Sequence, residues 1–303
     1  MGKWLVVILG PTGVGKTDLS IRLANDFDTA IVSCDSRQVY KEMHIGTAVP
    51  SREQLAAVPH FFIQTIPVES YYNCWQFEQQ ALQQITTLFG SRDVVVMAGG
   101  SMMYIDAVCH GMDSIPDVDP GVRQSVTRMY REEGLDSIRL LLKRLDPDFY
   151  EEVDLKNTKR VMHAVEICLT TGRPYSSQRS GIKKNRDFSI LKVGLNRERE
   201  ELYDRINDRV DQMITRGLEA EARSLYAFRH LNSLNTVGYK EFFDYFDGKT
   251  DREEAIRLLK RNTRHYAKKQ LSWFRRDDEI HWFHPADEQQ VLQFVKKACG
   301  IKA

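Results

Sequence analysis

Cysteine is scarce and unpatterned in this 303-residue sequence. Its five cysteines, Cys34, Cys74, Cys109, Cys168 and Cys299, are odd in number and form no C-x-x-C pair. That excludes a disulfide framework and a cysteine zinc site, and suits a reducing cytoplasm. His44 and His60 stand at no metal-ligand spacing from any cysteine. Long apolar runs are missing too: nothing approaches the roughly 20 residues that span a bilayer. The first apolar run, Trp4 to Leu9, is too short for a signal peptide and leads straight into a glycine-rich loop. A cytoplasmic chain without membrane segments is expected. An excess of one charge is also absent. The formal net charge is +1 although 28% of residues are charged, so partners have to be read from local clusters. There is no internal repeat and no low-complexity linker. With 42% apolar residues, the length allows one large domain with an insertion, or two domains.

What is present has the rhythm of an α/β protein. Trp4 to Leu9 is a short, continuous apolar run stopped by Gly10, the pattern of a strand buried on both faces. An amphipathic helix follows, with Leu19, Leu23 and Phe27 at helical spacing. Further strands are expected at Ala30 to Cys34, Asp93 to Met97 and Ile190 to Leu195. Strands alternating with helices imply a parallel sheet. From about Pro116 to Gly181 the chain reads as mostly helical, with turns at Asp146-Pro147 and Gly172-Arg173-Pro174. We therefore expect a core of residues 1–115 and 187–303, interrupted by a helical insertion domain at 116–186. C-terminal helices are expected at Arg197 to Ile214, Glu219 to Phe228 and Arg252 to Trp273.

The segment Gly10-Pro11-Thr12-Gly13-Val14-Gly15-Lys16-Thr17 fits G-x-x-x-x-G-K-[ST] between a strand and a helix. Glycines let the backbone curl so that its amides point inward, and the helix N-terminus adds partial positive charge. Lys16 brings a full charge, and Thr17 offers a hydroxyl to Mg²⁺. Such a loop holds a diphosphate or triphosphate without specifying a nucleotide. A P-loop hydrolase usually carries an acid at the end of a buried strand. Here the strand Val94 to Met97 runs instead into Ala98-Gly99-Gly100-Ser101. The carboxylate comes after the second strand, as Asp35, followed by the polar residues Ser36, Arg37 and Gln38. Ends of adjacent parallel strands share one crevice, so Asp35 is expected to face the phosphate loop. The alternative is that Asp35 only caps a turn.

Two stretches are basic. Between Thr158 and Leu169 an apolar face of Val161, Ala164, Val165, Cys168 and Leu169 opposes Lys159, Arg160 and His163. From Ala255 to Arg276 there is no Asp or Glu, and Arg257, Arg261, Arg264 and Lys268 form one helical stripe. A solvated face normally mixes signs, so this stripe favours a polyanion over an ordinary surface. The Lys183–Arg186 cluster is explained as well by a polar loop. Trp75, Phe77, Phe242, Phe243, Tyr245 and Phe246 read as core in preference to base-stacking platforms. Met102 and Met103 read as packing beside the Gly-Gly turn.

The run Gly10 to Thr17, with Asp35-Ser36-Arg37-Gln38-Val39-Tyr40 and Ile45-Gly46-Thr47-Ala48, resembles the tRNA dimethylallyltransferase (tRNA isopentenyltransferase) family. The resemblance continues through Ala98 to Tyr104, Lys159-Arg160 to Glu166, Thr171 to Pro174, Arg216-Gly217-Leu218, Val237-Gly238-Tyr239 and Thr263 to Gln270. It spans nearly the whole chain. It implies a P-loop NTPase-like core and transfer of a dimethylallyl group from its diphosphate to N6 of the adenine 3′ of the anticodon. Asp35 would then be the general base. The phosphate loop with Arg216 would hold the diphosphate, and Mg²⁺ would assist. Asp35, Ser36, Arg37, Gln38, Ser101, Arg123, Lys159, Arg160, Val161, Met162 and His163 match positions that contact tRNA. Ser101 stands where the family often has threonine, and His163 where arginine is common. No zinc-finger extension follows the last helices, so the match is to the bacterial form. The implied partners are the tRNA anticodon stem-loop and dimethylallyl diphosphate, with the enzyme acting as a monomer.

The chemistry agrees. An allylic diphosphate ionises when its leaving group is neutralised, which Lys16, Arg216, Mg²⁺ and backbone amides can do. The adenine amine must shed a proton to a base such as a carboxylate. The base itself must be flipped out of its stack. Three rivals remain: a P-loop small-molecule kinase, an RNA-binding protein with a relic P-loop, and an adenylate prenyltransferase acting on free nucleotide. The missing strand-end acid and the basic helix weigh against the first, an intact Lys16-Thr17 with Asp35 against the second, and the insertion with its basic helices against the third.

Overall fold

The apolar runs become the middle of a six-stranded sheet. The computed structural model describes residues 2–179, 181 and 184–300. The strands are β1 (Trp4–Leu9), β2 (Ile31–Ser33), β3 (His60–Phe61), β4 (Val94–Gly99), β5 (Ser189–Leu195) and β6 (Ile280–Phe283). Their order is β3-β2-β4-β1-β5-β6, with every neighbouring pair parallel. β1 sits between β4 and β5, with Leu9 opposite Gly99 on one side and Gly194 on the other. The C-terminal ends of β1 and β4 are therefore level, and the loops after them meet. The edge pieces β3 and β6 were not expected. β3 has only two residues, and β6 follows a helix with no glycine or proline to mark its start.

Alternate residues of β1 enter two different cores. Val6 and Ile8 pack with Leu19 and Leu23 of α1 (Lys16–Asp26). Leu5, Val7 and Leu9 pack with α3 (Cys74–Phe89) and α4 (Met102–His110) on the other face. The short α2 (Arg52–Ala57) precedes β3 and is closed by a capping box from Ser51 and Gln54. Both faces of the sheet are thus covered, which is why its central strands read as unbroken apolar runs. Each wholly buried Val, Leu or Ile contributes about 1.5–3 kcal/mol.

The chain divides into two compact units, Met1–His110 with Asn185–Ala303, and Gly111–Lys184. The second contains α5 (Pro120–Glu133), α6 (Leu135–Leu145), α7 (Pro147–Glu152) and α8 (Thr158–Thr171). Its own core gathers Val126, Ile138, Leu142, Phe149, Val161, Ala164 and Val165. Asp146 is buried and caps α7 through Phe149 N at 3.0 Å, while also accepting from Ser176 N and Oγ at 2.7 Å.

After β5 the first unit resumes with α9 (Arg199–Thr215), α10 (Leu218–Ser224), α11 (Lys240–Phe246), α12 (Arg252–Phe274) and α13 (Glu288–Ala298). The helix expected to run to Phe228 ends at Ser224 and continues as a separate 3₁₀ turn over Tyr226–Phe228. Helices α10 to α12 pack with Val39, Tyr40 and Met43 in a third cluster around Tyr239 and Phe242. Phe77, Phe242 and Phe243 are core as expected, whereas Trp75 and Met103 are 41% and 50% exposed. Arg186 turns inward to Glu78 and to the carbonyls of Ala107 and Val108, each at 2.8 Å. Its basic neighbour Lys183 lies outside the described residues.

Candidate active site

β1 ends where the chain must turn tightly against β5. Gly10 has φ 145°, and a Cβ there would meet the Leu195 carbonyl oxygen at 2.5 Å. Only glycine fits. The loop then enters α1 at Lys16. The Lys16 ammonium is half-buried and donates to the carbonyls of Gly10 at 3.0 Å and Pro11 at 2.8 Å. Burial, and then the nearby Arg209, lower its pKa to about 8, against the opposing pull of Asp35. A cation kept this far from its preferred solvation is poised for an anion.

Helix α9 supplies two more cations, and the segment before it a third. Arg209 Nη1 lies 3.5 Å from the Thr12 hydroxyl. Arg205 Nε donates to the Gly13 carbonyl at 3.1 Å, and Arg197, just before the helix, donates to that of Val14 at 2.9 Å. The Arg209 guanidinium is held below its ordinary value by burial and by Arg205 and Arg216, with Asp35 opposing. A cavity of about 400 Å³ opens above the loop, lined among others by Lys16, Thr17, Asp35, Arg205 and Arg209. Arg216, expected at the diphosphate, is exposed at the C-cap of α9 and is not among the residues lining this cavity; its field reaches Arg209. Arg205 and Arg209 were missed, although their i, i+4 spacing along the edge of the apolar stripe of Leu202, Ile206 and Val210 was visible in the sequence.

The acceptor side is built from the ends of β2 and β4. Asp35 lines the cavity, and its Oδ1 accepts from Arg37 N at 2.9 Å and Gln38 N at 3.3 Å. It does cap a turn, with one oxygen. Among the described residues no hydrogen bond reaches Oδ2. Ser101 accepts from Ser36 N at 2.8 Å and pairs with the Ser36 hydroxyl at 3.0 Å, tying the two strand ends together. Arg37 spends its guanidinium on the carbonyls of Asn232 and Ser233, both at 3.0 Å.

Helix α12 closes the site. Gln270 is buried; its Oε1 accepts from Thr12 N at 2.9 Å and its Nε2 donates to Gly100 O at 2.7 Å. It thereby fixes the phosphate loop to the Gly-Gly turn. Tyr266 lines the same cavity; burial and then Asp35 push its phenol up to about 12, against a side-chain hydrogen bond with Ser101. Neither residue was singled out from sequence. A glutamine among the buried positions Leu259, Ala267 and Phe274 was the available signal. On the opposite face of α12, Arg261 and Lys268 are exposed. Arg264 is bound to Asn207 at 2.6 Å, and Arg257 to Glu254 of the previous turn at 2.6 Å. Lys268, Lys269, His265 and Arg276 rim a hollow with Met102 and Trp273.

Arg123, Lys159, Arg160, Met162 and His163 belong to the other unit. Arg123, Lys159, Arg160 and His163 are exposed, and Met162 is half-buried. Glu166, buried on α8, lies 3.7 Å from Arg123 and 3.9 Å from His163. Burial holds Glu166 above the usual carboxylate range, offset by Arg123. Desolvation and Arg123 lower His163. Val161 is a correction: its side chain is wholly buried in the unit's core, so it packs the helix whose polar face carries Lys159 and Arg160.

Among the described residues there is no group of three or more His, Cys, Asp or Glu able to hold a metal. Thr17 lines the cavity beside the loop. That suits a Mg²⁺ ion held chiefly by a ligand's phosphate oxygens and water, with one protein hydroxyl. No described helix is long and apolar enough to cross a membrane.

Residues 38–277 match the IPP transferase family model. The chain belongs to the IPP transferase family. A relative in Bacteroides thetaiotaomicron named tRNA dimethylallyltransferase 1 is 55% identical over 96% of this chain and 95% of its own length. The tRNA isopentenylpyrophosphate transferase of Bacillus halodurans has a similar structure, with a TM-score of 0.71 and 34% identity over 99% of this chain and 97% of that one. A eukaryotic dimethylallyltransferase acting on tRNA shares the fold at 24% identity and a TM-score of 0.80, covering 99% of this chain and 80% of that one. For this member of the IPP transferase family, the P-loop NTPase-like core is thus a prenyl-transfer scaffold.

Proposed function

We propose that the chain transfers a dimethylallyl group from dimethylallyl diphosphate to N6 of the adenosine immediately 3′ of the anticodon in tRNA, releasing diphosphate. One observation carries this reading: a single cavity joins the cationic phosphate loop to a carboxylate with one oxygen open. The family and its named relatives support the donor and the acceptor. The diphosphate sits on the loop amides, with Lys16, Arg205 and Arg209 neutralising the charge that grows as the allylic C–O bond breaks. Mg²⁺, held by the diphosphate and Thr17, would supply further neutralisation of the leaving group. The adenine is flipped into the cavity, its amine attacks the allylic carbon, and Asp35 takes the amine proton on Oδ2. The exposed cations of α12, and Arg123, Lys159 and Arg160 of the other unit, contact phosphates of the anticodon stem-loop. The enzyme acts as a monomer in the cytoplasm.

A binding titration tests the donor site. Dimethylallyl diphosphate should bind and be turned over, and ATP should be turned over poorly. The affinity also carries a pH signature. Lys16 in the free site loses its proton near pH 8, whereas a bound diphosphate favours the charged ammonium. Affinity is therefore full below that pH and falls above it, by up to about tenfold per pH unit. A flat profile through this range would remove Lys16 from diphosphate binding. Rapid ATP turnover with an inert prenyl diphosphate would favour a kinase.

A further inference from the structure

The segment from Asp35 to Gln38 is fixed at its first end by β2 and by Ser101. Its other end is held by backbone bonds from Gln64 N to the Gln38 carbonyl at 2.7 Å and from Thr65 N to that of Val39 at 2.8 Å, and through the Gln38 side chain by a loop. The Gln38 side-chain amide donates to the carbonyls of Thr47 at 3.1 Å and Ala48 at 3.0 Å. What holds that loop is a carboxylate on a distant helix. Glu221 of α10 accepts four hydrogen bonds, two on each oxygen. Oε2 takes His44 N at 3.1 Å and Ile45 N at 2.7 Å. Oε1 takes Gly46 N at 2.9 Å and the Tyr239 hydroxyl at 2.7 Å.

Each component fits only this arrangement. Gly46 presses on the Tyr239 ring so closely that a Cβ would lie 2.7 Å from it. Tyr239 is wholly buried, and burial followed by the Glu221 charge drives its phenol far above the ordinary value. It stays protonated and donates to Glu221. Three amides and a phenol pointing at one spot need a group that only accepts, and an ionised carboxylate is the side chain that does so with two oxygens. The Thr47 hydroxyl closes the turn onto Met43 O at 2.6 Å.

From this we infer that Glu221 is a positioning residue for the acceptor. It sets the 44–48 turn, the turn sets Gln38, and Gln38 sets the register of the segment that carries Asp35. The inference rests on the reading of Asp35 to Gln38 as the acceptor segment. Glu221 touches no reacting atom.

Glu221→Gln is the informative variant. It keeps the shape, but either orientation of the amide turns an NH₂ toward two of the four donors. Hydrogen–deuterium exchange and transfer kinetics should be measured beside the wild type. The clamp predicts faster exchange in 36–38 and 44–48 together, with 10–17 unchanged. It also predicts unaltered dimethylallyl diphosphate affinity and a kcat on tRNA lower by about 10- to 100-fold, the cost of a misplaced group. Tyr239→Phe loses one donor of four and should show the same pattern, weaker; it carries the test should the glutamine variant not fold. Faster exchange confined to 44–46, or normal kcat in Glu221→Gln, would overturn the inference. If the wild-type protein leaves tRNA unmodified, the functional reading fails while the exchange result still decides the clamp.

Discussion

Asp35→Asn is expected to fold, to bind both substrates, and to transfer the prenyl group about 10²- to 10⁴-fold more slowly. Asparagine can keep the oxygen that caps Arg37 N and Gln38 N. It replaces the open Oδ2 by an NH₂, which cannot take a proton from the adenine amine. Binding of tRNA should change little, because phosphate contacts elsewhere carry most of the affinity. A purely capping Asp35 predicts the reverse: a stability loss of about 1 kcal/mol or less with near-normal turnover. Single-turnover transfer and a melting curve on the same preparation separate the two. Near-wild-type chemistry in a well-folded variant would leave the proton to water or to another side chain.

The second large effect distinguishes two arginines. Arg209→Ala should lower transfer by about 10²- to 10³-fold, the loss seen when one donor to a developing anion is removed. Arg209 lines the cavity beside Thr12, where solvent screens it little. Arg216 is exposed at the end of the helix, where salt screens it. Arg216→Ala should therefore cost far less, and its effect should shrink as salt is raised. Comparing kcat/KM for dimethylallyl diphosphate in the two variants is sufficient. A larger, salt-insensitive loss in Arg216→Ala would restore Arg216 to the diphosphate site.

The difference between these arginines shows where sequence reading stops. The phosphate loop was legible because its glycines, Lys16 and Thr17 are contiguous, and the geometry they impose is local. Asp35 was legible because a strand end fixes its place. The central strands were legible because burial on both faces leaves an unbroken apolar run. Arg209 and Gln270 meet the loop, and Tyr266 the cavity above it, only through tertiary packing, Gln270 across 258 positions of chain. Helical periodicity says which residues share a face; it does not say which turn of the helix reaches the loop. Val161 was legible as part of the apolar face of its helix, where its side chain is buried; only the contiguous run matched by resemblance set it beside the tRNA-contacting residues. The strands at His60–Phe61 and Ile280–Phe283 exist because a sheet edge was available to pair with, a property of the neighbours more than of those residues.

In the proposed reaction one cavity brings a prenyl diphosphate on the P-loop to a tRNA adenosine beside Asp35. The most direct measurement is a nucleoside analysis by mass. Unmodified tRNA is incubated with the protein, Mg²⁺ and either dimethylallyl diphosphate or ATP, then digested. The account predicts one new nucleoside, an adenosine carrying a five-carbon prenyl group at the position 3′ of the anticodon, formed only with dimethylallyl diphosphate. Unchanged tRNA with that donor, while ATP is consumed or free adenylate is prenylated instead, would contradict it.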